Sequence, residues 1–171
     1  MKNFISTLRG KIPVTWNIDN VKSLEYEFGS YNSCPPIDVF VNAGHDEKNI
    51  KIWKYQQPKT LPVDISELHK NWPFLNNVGT AINFFQPGQY MPWHHDEYDR
   101  YRKFINDATS DIVRIIIMLE DSSPGQIIQV NESTYGAWKA GDWFVWANSD
   151  YHAFYNFSTV DRYAVQITAT L

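Results

Sequence analysis

From residue 80 onward the chain is a succession of short strand-like runs broken by turn residues, and this rhythm constrains the fold more than any other feature. Turns are marked at Pro87-Gly88, Ser123-Pro124-Gly125, Tyr135-Gly136 and Ser158-Thr159. Short alternating runs between such turns predict a mainly β sandwich or jelly roll. The first third is mixed. Alternation predicts strands over 13–18, 37–41 and 49–55, and a helix over 19–28 capped by Asp19 or Asn20 and stopped by Gly29. Asp64-Ile65-Ser66-Glu67 has capping-box spacing and predicts a short helix to Asn71. With 171 residues and no repeat or linker-like run, the chain reads as one domain, a flanking region over 1–79 and a jelly-roll core over 80–171.

Within that core lies His94-His95-Asp96, answered from a distant segment by His152. Side chains alternate across an extended segment, so His94 and Asp96 share one face while His95 turns away. A lone histidine is more often a surface or hydrogen-bonded core residue than a ligand. Here both histidines end apolar runs beside turns, where a barrel mouth would place a small-molecule site. Two imidazoles and one carboxylate on one side of an ion leave positions open, the arrangement of non-haem Fe(II) oxygenases.

Arg162 follows His152 by ten residues and opens the last predicted strand. Beside a metal, its planar fork suits a carboxylate held by two hydrogen bonds. The ordered set His94, Asp96, His152, Arg162 resembles the 2-oxoglutarate- and Fe(II)-dependent oxygenases. The segments 83–96, 111–119 and 138–146, and Asn156-Phe157-Ser158 before Arg162, resemble the aspartyl/asparaginyl β-hydroxylase-like and proline-hydroxylase-like branch. The likeness covers residues from about 60 to 171. It implies a double-stranded β-helix with a few flanking N-terminal helices. It further implies Fe(II), O2 and 2-oxoglutarate as cosubstrate, Arg162 on the far carboxylate of that cosubstrate, and hydroxylation of an amino-acid side chain with release of succinate and CO2.

Asn83 stands where several relatives contact 2-oxoglutarate. Arg114 alternates with Ile112 and Ile116, so it either enters the barrel to meet a cosubstrate or substrate carboxylate, or reaches solvent from an edge strand. Trp93, Tyr98, Arg100, Gln126 and Trp146 are candidates for the substrate wall. The charged stretch 97–111 reads as a surface loop, a short helix or a lid. A cupin-like metal enzyme that does not use 2-oxoglutarate and a non-catalytic jelly-roll binding module are the alternatives.

Composition excludes other classes. Hydrophobic residues at 43% and charged residues at 20% belong to a packed chain rather than a disordered one. A net charge of −4 argues against nucleic acid as partner, leaving a small molecule or peptide as the expected substrate. Cys34, the single cysteine, fits a reducing compartment, and the absence of a long apolar run predicts a cytoplasmic protein without membrane contact.

Overall fold

The computed structural model describes residues 8–28, 33–50, 52–56, 60–66, 70 and 72–171. The chain runs β1 (Leu8–Lys11), α1 (Ile18–Lys22), β2 (Glu27–Phe28), β3 (Ser33–Cys34), α2 (Ile37–Asn42), β4 (Trp53–Gln56), β5 (Asn76–Phe85) and β6 (Tyr90–Asp96). It continues through α3 (Asp99–Ile105), β7 (Ile112–Met118), β8 (Gln126–Val130), β9 (Ser133–Tyr135), β10 (Asp142–Ala147), β11 (His152–Asn156) and β12 (Arg162–Thr170). Among the described residues these strands make two antiparallel sheets. The larger is ordered β1-β10-β7-β12-β5-β4-β2 and the smaller β3-β6-β11-β8-β9. The fold is mainly β, a jelly roll with short helices in its N-terminal part.

Alternation along the central strands divides the molecule into two cores. On the outer face of the large sheet, Ile82, Phe84, Ile115, Ile117 and Val165 pack with Trp16 and Val21 of the N-terminal segment. On its inner face, Phe85, Ile116, Met118, Phe144 and Ala164 meet Met91, Ile128 and Phe154 of the small sheet. The inner layer therefore lies between the sheets. Among the described residues, the buried arginines Arg114 and Arg162 lie in this inner layer.

Four expectations for the N-terminal part are corrected. The predicted strand at 13–18 is irregular: Pro13 has no donor for a ladder, and Trp16 is drawn into the core, where its Nε1 donates to the Leu119 carbonyl at 2.9 Å. The strand at 37–41 is helix α2, because Pro35 and Pro36 interrupt any ladder after β3 and Pro36 begins the helix in extended geometry. The helix at 19–28 shrinks to α1, capped by Asn17, whose side chain accepts from the Asp19 amide, and Glu27 and Phe28 pair with β4 instead. The strand at 49–55 begins at Trp53, since Asn49 and Ile50 close turns onto the Asp46 and Glu47 carbonyls. The Gly29 stop and most of the helix predicted to Asn71 lie outside the described residues, although the Asp64 carboxylate does accept from the Ser66 amide at 2.8 Å.

Candidate metal centre

His94 and Asp96 end β6 and His152 begins β11, and the two histidines are direct cross-strand partners. Their presence on one face depends on a bulge. Tyr90 faces outward and stacks on Tyr155, while Met91 faces the inner core. Uninterrupted alternation from Met91 would turn Trp93 inward and His94 outward. Between the pairs Phe154–Met91 and His152–His94, however, β6 spends two residues, Pro92 and Trp93, against Ala153 alone. That extra residue resets the register and turns His94 and Asp96 inward. Pro92 suits the place because a bulge leaves a position without a ladder donor.

The three side chains form one cluster. His94 Nε2 lies 3.9 Å from Asp96 Oδ1, His152 Nε2 lies 3.8 Å from Asp96 Oδ2, and all three donor atoms fall within 4.8 Å of one another. His94 Nδ1 donates to the Pro92 carbonyl at 2.6 Å and His152 Nδ1 to the Asp150 carbonyl at 3.1 Å. Both rings thus keep the Nε2 lone pair for the space between the sheets, the orientation that carbonyl partners impose on metal-binding histidines. Metal–nitrogen bonds of about 2.1 Å at right angles need donors about 3 Å apart, so a slight closure of these side chains would fit an ion. Burial pushes His152 down to about 3, with His94 adding to the effect, and burial also lowers His94. Both imidazoles are therefore neutral at pH 7, as ligation requires.

Asp96 is fixed by Arg114, whose Nη2 donates to Asp96 Oδ2 at 2.6 Å. Burial works to raise the Asp96 pKa, but Arg114 and the imidazoles outweigh it and hold the carboxyl well below the usual range. Arg114 is itself clamped: Nη1 donates to Thr168 Oγ1 at 2.8 Å, Nε to the Tyr98 hydroxyl at 3.3 Å, and its guanidinium lies over the Tyr98 ring. Of the two expectations for Arg114, the edge-strand position is thereby corrected. Strand β7 is central, between β10 and β12, and the carboxylate that neutralises Arg114 is the candidate ligand itself.

Arg162 differs in kind. It is 4% exposed, on the inner face of β12, and meets no oxygen acceptor among the described residues. Its Nη2 approaches Met118 Sδ at 3.8 Å, and its Nε is buried without a partner. Phe154, Phe85 and Trp138 surround the guanidinium at 4.9, 5.4 and 5.6 Å from their ring centroids. Burial alone brings its pKa down to about 9. Phe154 also lies 5.7 Å from the His152 ring, so one aromatic side chain borders both the cation and the metal cluster.

The remaining candidates separate clearly. Asn83 is buried on the inner face, donates to Gln166 Oε1 at 2.7 Å and leaves Oδ1 without a partner. Trp146 lies 4.9 Å from the His152 ring with Nε1 unpaired. Tyr98 is buried under Arg114, whereas Arg100 is exposed on α3. Trp93 is not brought to the site: the bulge turns it outward, where it stacks on Tyr151 at 6.0 Å. Gln126 is tied into a turn by Ser123 and Ser158. Segment 97–111 contains the short helix α3, fastened by Tyr101 to the Asn77 carbonyl and by Arg102 to the Ser110 carbonyl. His95 points away from the cluster toward Tyr151.

Two residues at the site were not picked out from sequence, Lys54 and Thr168. Thr168 shares the inner face of β12 with Arg162, six residues on. Lys54 sits on β4 between Trp53 and Tyr55, both of which pack on the outer core, so Lys54 faces inward beside Asn83. The alternation of two aromatics around one lysine was the available signal.

No family model matches the chain, and no curated protein matches it. Similar solved structures include a putative sugar phosphate isomerase from Acidithiobacillus ferrooxidans, at 11% identity and TM-score 0.49 over 92% of this chain and 76% of that one. KdgF from Halomonas sp. is similar at 13% identity and TM-score 0.45, over 84% and 94%. A cupin domain from Bordetella pertussis Tohama I is similar at 13% identity and TM-score 0.43, over 74% and 100%. These are likenesses of sheet architecture, and the chemistry of this chain rests on its own residues. Among the described residues, no helix is long and apolar enough to cross a membrane.

Proposed function

We propose that this protein is an Fe(II)- and 2-oxoglutarate-dependent oxygenase that hydroxylates an amino-acid side chain, free or within a peptide. The observation that carries the reading is Arg162, a buried guanidinium to which the described residues offer no anion, bordered by the same phenylalanine as a His-Asp-His cluster. An unpaired buried charge is costly, and a chain that keeps one beside a metal site has a use for an incoming anion. A five-carbon diacid meets both demands, with one end toward the metal and the other on Arg162. Bound together with O2, the iron and 2-oxoglutarate would supply the oxidant, with succinate and CO2 released.

The residues of the chain have separate tasks in this scheme. His94 and His152 present Nε2 because the Pro92 and Asp150 carbonyls hold Nδ1. Arg114 keeps Asp96 ionised and oriented. Arg162 would hold the far carboxylate, and Phe85, Phe154 and Trp138 would keep water from that pair. Asn83 Oδ1 offers an acceptor to a donor on the bound molecule.

The test is conversion of 2-oxoglutarate to succinate by the Fe(II)-loaded protein, measured with no other substrate added. Slow uncoupled turnover is expected in the wild type, and none in His94→Ala or Arg162→Met. Equal turnover in wild type and Arg162→Met would contradict the reading. A second reading is a metal-dependent enzyme of cupin type without 2-oxoglutarate, whose acidic substrate itself occupies Arg162. It is favoured by the fact that Arg162 records the need for an anion and not which one.

A further inference from the structure

Lys54 is a second cation that the metal site leaves without a partner. It is partly buried on the inner face of β4, opposite Asn83, and makes no hydrogen bond or ion pair among the described residues. Glu27, its cross-strand neighbour on β2, is exposed, makes no ion pair with it and is not among the charges that act on it. Lys54 faces the same inner layer as Arg114 and Asp96; Arg114, with Arg100, repels it and Asp96 attracts it. Asp96 cannot serve as its counter-ion, because Arg114 already holds that carboxylate. Arg162 and Lys54 stand on different strands, β12 and β4, on either side of β5, where they pair with Phe85 and Asn83 respectively. Among the described residues, the inner layer thus contains two separate cations that meet no anion of their own.

We propose that Lys54 anchors a carboxylate of the substrate, at a position separate from the one at Arg162, so that the molecule oxidised is an acid. The inference rests on the cosubstrate reading of Arg162, and it narrows the substrate class. One anion is then the cosubstrate and the other marks the substrate. A free amino acid, a peptide C-terminus or an acidic side chain would qualify, whereas an amide or a neutral sugar would leave Lys54 unpaired. Burial first, then the neighbouring cations, push Lys54 down to about 8, and a carboxylate beside the ammonium would raise it again.

Acetate is the probe. The protein is loaded with 2-oxoglutarate and with Mn(II), a relaxation agent that accepts the same nitrogen and oxygen donors. Relaxation of the acetate methyl protons then reports binding close to the metal. Saturable enhancement is expected with acetate and not with acetamide. In Lys54→Gln the acetate affinity should fall about tenfold or more, the loss expected for a charge-assisted pair, and Lys54→Arg should retain much of it. The affinity for 2-oxoglutarate should be the same in Lys54→Gln as in the wild type. Acetate binding that is absent, or equal in Lys54→Gln, overturns the proposal. So does loss of 2-oxoglutarate binding in Lys54→Gln, which would make Lys54 the cosubstrate anchor. Failure of 2-oxoglutarate to bind the wild type contradicts the cosubstrate reading instead, and Lys54 is still judged by whether acetate distinguishes wild type from Lys54→Gln.

Discussion

Replacing Arg162 with methionine should stabilise the ligand-free protein while removing its response to 2-oxoglutarate. Burial brings Arg162 from the ordinary arginine value down to about 9. At about 1.4 kcal/mol per pKa unit, that fall corresponds to about 5 kcal/mol of cost for the charged form. The three surrounding rings return part of it, at about 1 kcal/mol or somewhat more each. A net relief of about 2 kcal/mol remains, and methionine fills much of the same apolar space. For a domain of this length, about 2–4 °C accompanies each kcal/mol, so Tm should rise by about 4–8 °C. The assay is thermal unfolding of the metal-loaded protein with and without 2-oxoglutarate. A ligand at 100 times its Kd adds about 2.7 kcal/mol to the wild type, and it should add nothing to Arg162→Met. If Arg162→Met melts below the wild type, the guanidinium has a stabilising partner and the reasoning fails. It fails equally if the same concentration of 2-oxoglutarate raises the Tm of the variant as much as that of the wild type.

Arg114→Met should act in the opposite direction, because it leaves Asp96 charged and unpaired; a loss of about 3–5 kcal/mol, read by urea unfolding, is expected, together with weaker metal binding. Gly141→Ala should destabilise strongly, since the glycine has φ +87° and an added Cβ would lie 2.3 Å from the Ile12 carbonyl oxygen; a Tm within a degree of wild type would contradict this. The metal-free protein should lose stability as pH falls from about 6.5 toward 3. His152 is held at about 3 when folded, so between those values the unfolded chain binds more protons and stability rises with pH. The slope approaches about 1.4 kcal/mol per pH unit for His152, and His152→Gln should flatten it in pH-dependent urea unfolding.

The strand-and-turn rhythm after residue 80 made the β-rich half legible, because period-two burial and turn chemistry are local properties of the chain. The pairing of His94 with Asp96 was legible for the same reason: two positions apart on a strand share a face whatever precedes them. The outward turn of Trp93 was not, since it depends on the bulge opposite Ala153, and Pro92 was its only local sign. Helix α2 was misread because Ile37, Val39 and Val41 alternate like a strand while the prolines before them deny that strand a neighbour. The Arg114–Asp96 pair and the inward face of Lys54 arise from contacts between distant strands. Periodicity can say that such a residue faces inward, but not which charge it meets there.

The central claim is that one site holds a metal through His94, Asp96 and His152 and an acid through Arg162. Anaerobic titration of Fe(II) and then 2-oxoglutarate into the apo protein tests it most directly, through the metal-to-ligand charge-transfer absorption of the chelate. A saturable visible band is expected in the wild type, absent in His94→Ala and needing far more 2-oxoglutarate in Arg162→Met. A wild type that binds Fe(II) but gives no band, or a band indifferent to Arg162, would contradict the claim.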